Sequence, residues 1–85
     1  MLVIVYLYFF LMSYRVIGND WCPFCNKVKN YMNSNKINYQ WIDSDTTEGN
    51  KVRQEESKKY NFRTVPMVFK GDQFIGGCNE FFAKL

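Results

Sequence analysis

The stretch WCPFC, residues 21–25, sets two thiols three positions apart with a proline between them, directly after YRVIG and ND (14–20). YRVIG is a β-branched run closed by glycine and reads as a strand passing into a loop. Pro23 suits the first position of a helix, where its missing N–H costs nothing. Phe24, Val28, Tyr31 and Met32 then recur at helical intervals opposite Lys27, Lys29, Asn30 and Asn33, so an amphipathic helix is predicted from Pro23 to near Asn35. Cys22 therefore stands at a strand-to-helix junction with the free amides of the first turn pointing at its sulfur. Those amides and the positive end of the helix dipole favour a thiolate, which is a nucleophile. Cys25 is spaced to close a bond on Cys22 and expel whatever Cys22 has captured.

Downstream, INYQWID (37–43) alternates as a second strand, and SDTT (44–47) offers capping oxygens to a helix starting near Glu48. Val52 and Tyr60 are that helix's core contacts, while Glu55 and Lys59 are placed to pair at i,i+4. MVFK, GD and QFIG form a hairpin signal over 67–76, and CNEFFAKL (78–85) has room for two helical turns. The predicted order is β-α-β-α-β-β-α. Two early strands joined by a helix are parallel with a right-handed crossover, and the late hairpin is antiparallel, giving an α/β fold with a four-stranded mixed sheet flanked by helices.

At 85 residues the chain is one small domain, and its mixture of 22% charged with 47% apolar residues is that of a folded chain rather than a disordered one. A net charge of +3 spread without a basic stripe argues against a nucleic-acid partner. Three cysteines cannot all pair within one chain, which speaks against a disulfide-stapled secreted scaffold and for a reducing, cytoplasmic setting. With no histidine, the chemistry falls to thiols, carboxylates, amines and backbone. The opening MLVIVYLYFFLM (1–12) would cover only ~18 Å as a helix against a bilayer core of about 30 Å, so no spanning segment is expected. It also lacks the basic start and small-residue cleavage site of a secretory signal. MSYRVIG, from Met12, resembles a natural start. Residues 1–11 are accordingly an apolar extension of uncertain role, an added packed segment or a membrane-surface anchor being the other readings, and 12–85 the domain.

Two other readings of the thiol pair bear weighing. A structural zinc site needs four ligands, and three cysteines without histidine would require a carboxylate as the fourth, so no metal is expected. Two inert core cysteines would not need to sit at a helix start after a strand. Two further motifs favour redox chemistry: TVP (64–66) directly before the hairpin and GGCNE (76–80) directly after its second strand. CPFC, TVP and GGC in this order and spacing resemble a dithiol glutaredoxin of the thioredoxin superfamily over residues 14–85.

The resemblance implies a thioredoxin-like fold and a glutathione-dependent thiol–disulfide oxidoreductase. Cys22 matches the nucleophile and Cys25 the resolving cysteine. In the glutathione site, Thr64 and Val65 precede Pro66, the cis-proline that presents the Val65 backbone. Phe24 replaces the usual tyrosine of the motif, and Arg53 matches the polar residue that meets the glycine carboxylate. Gly77, Cys78 and Asn79 match the loop around the γ-glutamyl end. Asn19 stands where the family has a lysine and Asn79 where it commonly has an aspartate, with Glu80 beside it. The implied partners are glutathione, as co-substrate with no tightly bound cofactor, and disulfide-containing proteins, acted on by a monomer. The alternatives are a thioredoxin-like reductant recharged by a flavoprotein reductase, which Trp21 suggests, and a glutathione-ligated iron–sulfur carrier.

Overall fold

The computed structural model describes residues 13–85, so the reading of residues 1–11 as an extension lies outside the described residues. The first strand, β1 (Tyr14–Gly18), buries Val16 and Ile17 completely on opposite faces, as a central strand covered on both sides must. It is followed by α1 (Pro23–Ser34), β2 (Tyr39–Asp43), α2 (Thr47–Tyr60), β3 (Met67–Lys70), β4 (Gln73–Gly76) and α3 (Cys78–Ala83). The sheet order is β2-β1-β3-β4, with β1 parallel to β2 and the other two pairings antiparallel. This is the α/β architecture expected from the sequence.

The differences are local. β2 begins at Tyr39 rather than Ile37, because Lys36 turns the chain with φ 54° and the Ile37 N–H returns to the Met32 carbonyl at 2.9 Å. Ile37 then packs against the core instead of pairing in the sheet. Among the SDTT oxygens it is Thr46 that caps α2, accepting from the Gly49 N–H at 2.9 Å. Glu55 and Lys59 do not pair: Lys59 lies over the Tyr60 ring, and among the described residues the ion pair is Lys29–Asp20 at 3.3 Å.

Opposite faces of the sheet carry separate cores. Val16 and Val68 meet Val28 and Met32 of α1 and Phe81 of α3. On the other face Ile17, Met67 and Phe69 meet Val52 and Tyr60 of α2, the two contacts read from the sequence, together with Phe62 and Phe74. Burying a phenylalanine such as Phe69 contributes up to about 3 kcal/mol, so these layers fix the sheet against its helices. Because β3 runs antiparallel to β1, with Ile17 opposite Met67, the loop leaving β1 meets the loop entering β3. Those two loops carry Cys22 and Pro66.

Candidate active site

Cys22 is the N-cap of α1 with extended backbone, and Pro23 occupies the first helical position, as its lack of an N–H allows. The Asn26 N–H closes the first turn on the Cys22 carbonyl at 3.0 Å. The Cys22 thiol is 9% exposed and reaches the Val65 carbonyl at 3.9 Å. The Val65–Pro66 peptide bond is cis, as the resemblance implied. Both cysteines are reduced, as is Cys78.

Cys25 lies on the inward face of the same turn and is completely buried. Burial pushes its thiol up to about 12. The Asn19 backbone N–H works against this by donating to the sulfur, while the hydrogen bond to Cys22 and the electrostatic influence of the neighbouring Cys22 and Cys78 thiols add to it. The two thiols are thus unequal: Cys22 keeps a small exposed edge, whereas Cys25 has none and holds its proton more firmly than an ordinary thiol. Cys78 begins α3, 7% exposed, and burial raises its thiol too, with the Lys27 charge opposing.

Two grooves share Val65, whose carbonyl the Cys22 thiol reaches. The first, about 370 Å³, is lined by Phe24, Thr64, Val65, Pro66, Gly77, Cys78 and Asn79 among others. Gly76, with φ +134°, makes the turn that brings the Gly77 loop against this groove, a backbone conformation that an L side chain resists. The second, about 290 Å³, is lined by Asn19, Trp21, Asn50, Arg53, Arg63 and Val65 among others. Of the residues singled out in the sequence, all the glutathione-site positions but Arg53 converge in the first groove. Arg53 stands in the second, its guanidinium donating to Asn50 Oδ1 at 3.1 and 3.2 Å. Among the described residues no group of three or more Cys, Asp or Glu side chains converges as metal ligands would, and no helix is long and apolar enough to cross a membrane.

The glutaredoxin family model matches the chain over residues 3–75. The chain belongs to the glutaredoxin family. It is 33% identical over 70 residues to glutaredoxin 3 of Escherichia coli, covering 81% of each chain. A Ricinus communis glutaredoxin is also 33% identical over 70 residues, covering 81% of this chain and 69% of the relative. Among solved structures, wheat glutaredoxin aligns with a TM-score of 0.74 at 25% identity, over 96% of this chain and 82% of that one. In fold, a buckwheat glutaredoxin–glutathione complex aligns with a TM-score of 0.77 at 24% identity, over 98% and 78%. Membership makes the chain a thiol–disulfide oxidoreductase of the glutathione-dependent, dithiol kind.

Within that family frame, the departures take on geometry. The Asn19 side chain is 3% exposed, with its Nδ2 3.5 Å from Ser44 Oγ and its Oδ1 without a partner. Asp20, beside it, is engaged by Lys29 at 3.3 Å and its carbonyl accepts from Asn26 Nδ2 at 2.8 Å. Glu80 lines the first groove, but its carboxylate also accepts from the Gly77 N–H at 3.4 Å. Phe62 and Arg63 were not singled out from the sequence, yet they line the first and second grooves respectively. Their adjacency to TVP is the only signal that pointed to them. Trp21, 73% exposed, is held by its Nε1 donating to Asp45 at 2.9 Å.

Proposed function

We propose that Cys22 attacks the disulfide of a protein or of a glutathione mixed disulfide, and that Cys25 resolves the protein adduct. The observation that carries this reading is the unequal pair: Cys22 at the helix start against Val65, the residue both grooves share, and Cys25 fully buried one turn behind it with its proton retained. Attack by the Cys22 sulfur forms a mixed disulfide and releases one substrate thiol. Attack by Cys25 then forms the Cys22–Cys25 bond and releases the second. Two glutathiones restore the dithiol: the first takes Cys22 into a mixed disulfide and frees Cys25, and the second leaves as glutathione disulfide. Thiols and disulfides balance, with one protein disulfide reduced for each glutathione disulfide formed.

The glutathione itself binds across Cys22. Its cysteine backbone pairs with Val65, its γ-glutamyl end enters the groove of Thr64, Pro66, Gly77, Cys78 and Asn79 with Phe24 at its mouth, and its glycine carboxylate meets Arg53. The two guanidiniums of Arg53 and Arg63 bordering the second groove support that orientation, since a guanidinium is suited to a carboxylate. The enzyme works as a monomer in a reducing, cytoplasmic setting, on disulfide-containing proteins.

The roles are tested by substitution. Cys22→Ser should abolish all exchange. Cys25→Ser should keep reduction of glutathione mixed disulfides, because a second glutathione can resolve them, and should lose reduction of protein disulfides. Equal loss of both activities in Cys25→Ser would end the assignment. Turnover with a flavoprotein thioredoxin reductase in place of glutathione would favour the thioredoxin-like alternative.

A further inference from the structure

We propose that Gly18, the last residue of β1, is a positioning residue for the Cys25 thiol: its empty side-chain slot seats the sulfur within reach of Cys22 and so sustains dithiol chemistry. This rests on the role given to Cys25 above.

A Cβ built on Gly18 would stand 2.7 Å from Cys25 Sγ and 3.2 Å from Cys25 Cβ. Ordinary contacts between such atoms fall at about 3.5–4.0 Å, so the sulfur lies directly against the Gly18 backbone, in the space any other residue would fill. The seat has two more walls. The Trp41 ring closes one side, with its Cη2 3.0 Å from the same built Cβ, and the Asn19 N–H donates to the sulfur from the next residue of the chain. The register explains why the slot exists: Gly18 shares the sheet face of Val16, which packs against α1, so its side-chain direction meets the first turn of that helix.

The seat matters because resolution is geometrically exacting. The Cys25 sulfur attacks the Cys22 sulfur of a mixed disulfide, a bond of about 2.0 Å forms between them, and the bond to the substrate breaks. The electron pair leaves on the substrate thiolate, which takes up a proton as Cys25 gives one up to solvent. A methyl at position 18 requires the sulfur to move by ~1 Å, and displacements of that size can cost up to about a hundredfold in rate. Attack by glutathione on a Cys22 mixed disulfide makes no use of the seat.

The test compares Gly18→Ala, Cys25→Ser and the double variant, in the reduction of insulin disulfides and of a glutathione mixed disulfide. The ratio of protein-disulfide to mixed-disulfide turnover should fall tenfold or more in Gly18→Ala. In the Cys25→Ser background the added Gly18→Ala should change neither rate. Equilibration with glutathione buffers gives a second readout: the Cys22–Cys25 disulfide should be destabilised about tenfold, or about 30 mV for this two-electron couple. A Gly18→Ala protein with unchanged ratio and potential would overturn the proposal, as would a loss of equal size in both assays or in the Cys25→Ser background. If Cys25→Ser itself lost both activities equally, the role of Cys25 would fail while the potential still judged the seat. Should Gly18→Ala not fold, Gly18→Ala/Cys25→Ala, which removes the sulfur the new methyl meets, is expected to fold. Its failure would place the conflict at Trp41 and overturn the seat.

Discussion

Raising the pH should weaken the reduced protein through Cys25, and the size of the effect follows from where that thiol sits. Burial without any solvent exposure raises it from an ordinary 9.0 to about 12, with the Cys22 hydrogen bond adding and the Asn19 N–H opposing. In the unfolded chain the same thiol titrates near its ordinary value. Below about pH 9 both states hold the proton and the contribution is whole. Above it the unfolded chain releases a proton that the folded chain keeps, so stability declines as pH climbs toward the folded value. For one proton the limiting slope is about 1.4 kcal/mol per pH unit. That is a large fraction of the 5–15 kcal/mol or so typical of a domain. Urea unfolding under reductant at pH 7.5, 8.5, 9.5 and 10.5, for the native chain and Cys25→Ala, isolates the term, because tyrosines and lysines cancel in the difference. The difference should be flat below pH 8.5 and then fall by ~1 kcal/mol per unit in the direction that disfavours the native chain. Parallel curves, or a native chain gaining on the variant at high pH, would refute the argument. A kinetic counterpart follows. Cys25 attacks as a thiolate, so single-turnover resolution of a protein mixed disulfide at Cys22 should rise toward tenfold per pH unit across the same alkaline range.

Gly49→Ala in α2 reverses the usual expectation that alanine improves a helix interior. The new Cβ would fall on the Asp43 carbonyl and 2.8 Å from the capping Thr46 Oγ1, so a loss of roughly 1–3 kcal/mol is expected, read as a lowered melting temperature; a stabilised variant would contradict this packing. Arg53→Gln should raise KM for a glutathione mixed disulfide several-fold with kcat little changed, and added salt should shrink the gap between variant and native chain. A fall in kcat at constant KM would instead assign Arg53 to the chemical step.

The order of elements was legible because its signals are local. The β-branched run before Gly18, Pro23 at a helix start, Thr46 before α2 and the Gly71–Asp72 turn each act over a few residues. The start of β2 was not, since Lys36 in the left-handed region is a single-residue event inside an apparently alternating stretch. At the site, Cys22, Pro66 and Gly77 could be read because each belongs to a short motif. Phe62 and Arg63 line the grooves beside TVP, and their adjacency to that motif is a weak signal that carries no chemistry of its own. Asn19 could be read as a missing cation, whereas the burial of its side chain against Ser44 is a matter of tertiary packing.

The division of labour between the two cysteines has the same origin. In the sequence they are equivalent thiols three positions apart, and only the helix start breaks the symmetry. In the fold, one turn of α1 carries Cys25 from the surface to the end of β1, where a glycine leaves room and a tryptophan closes the seat. Had a larger residue ended β1, the same CPFC motif would meet a filled slot, and Cys25 would have to sit elsewhere. The motif thus supplies the thiols. Residues outside it, on β1 and β2, set how deeply the second is buried, how firmly it keeps its proton and how it approaches the first.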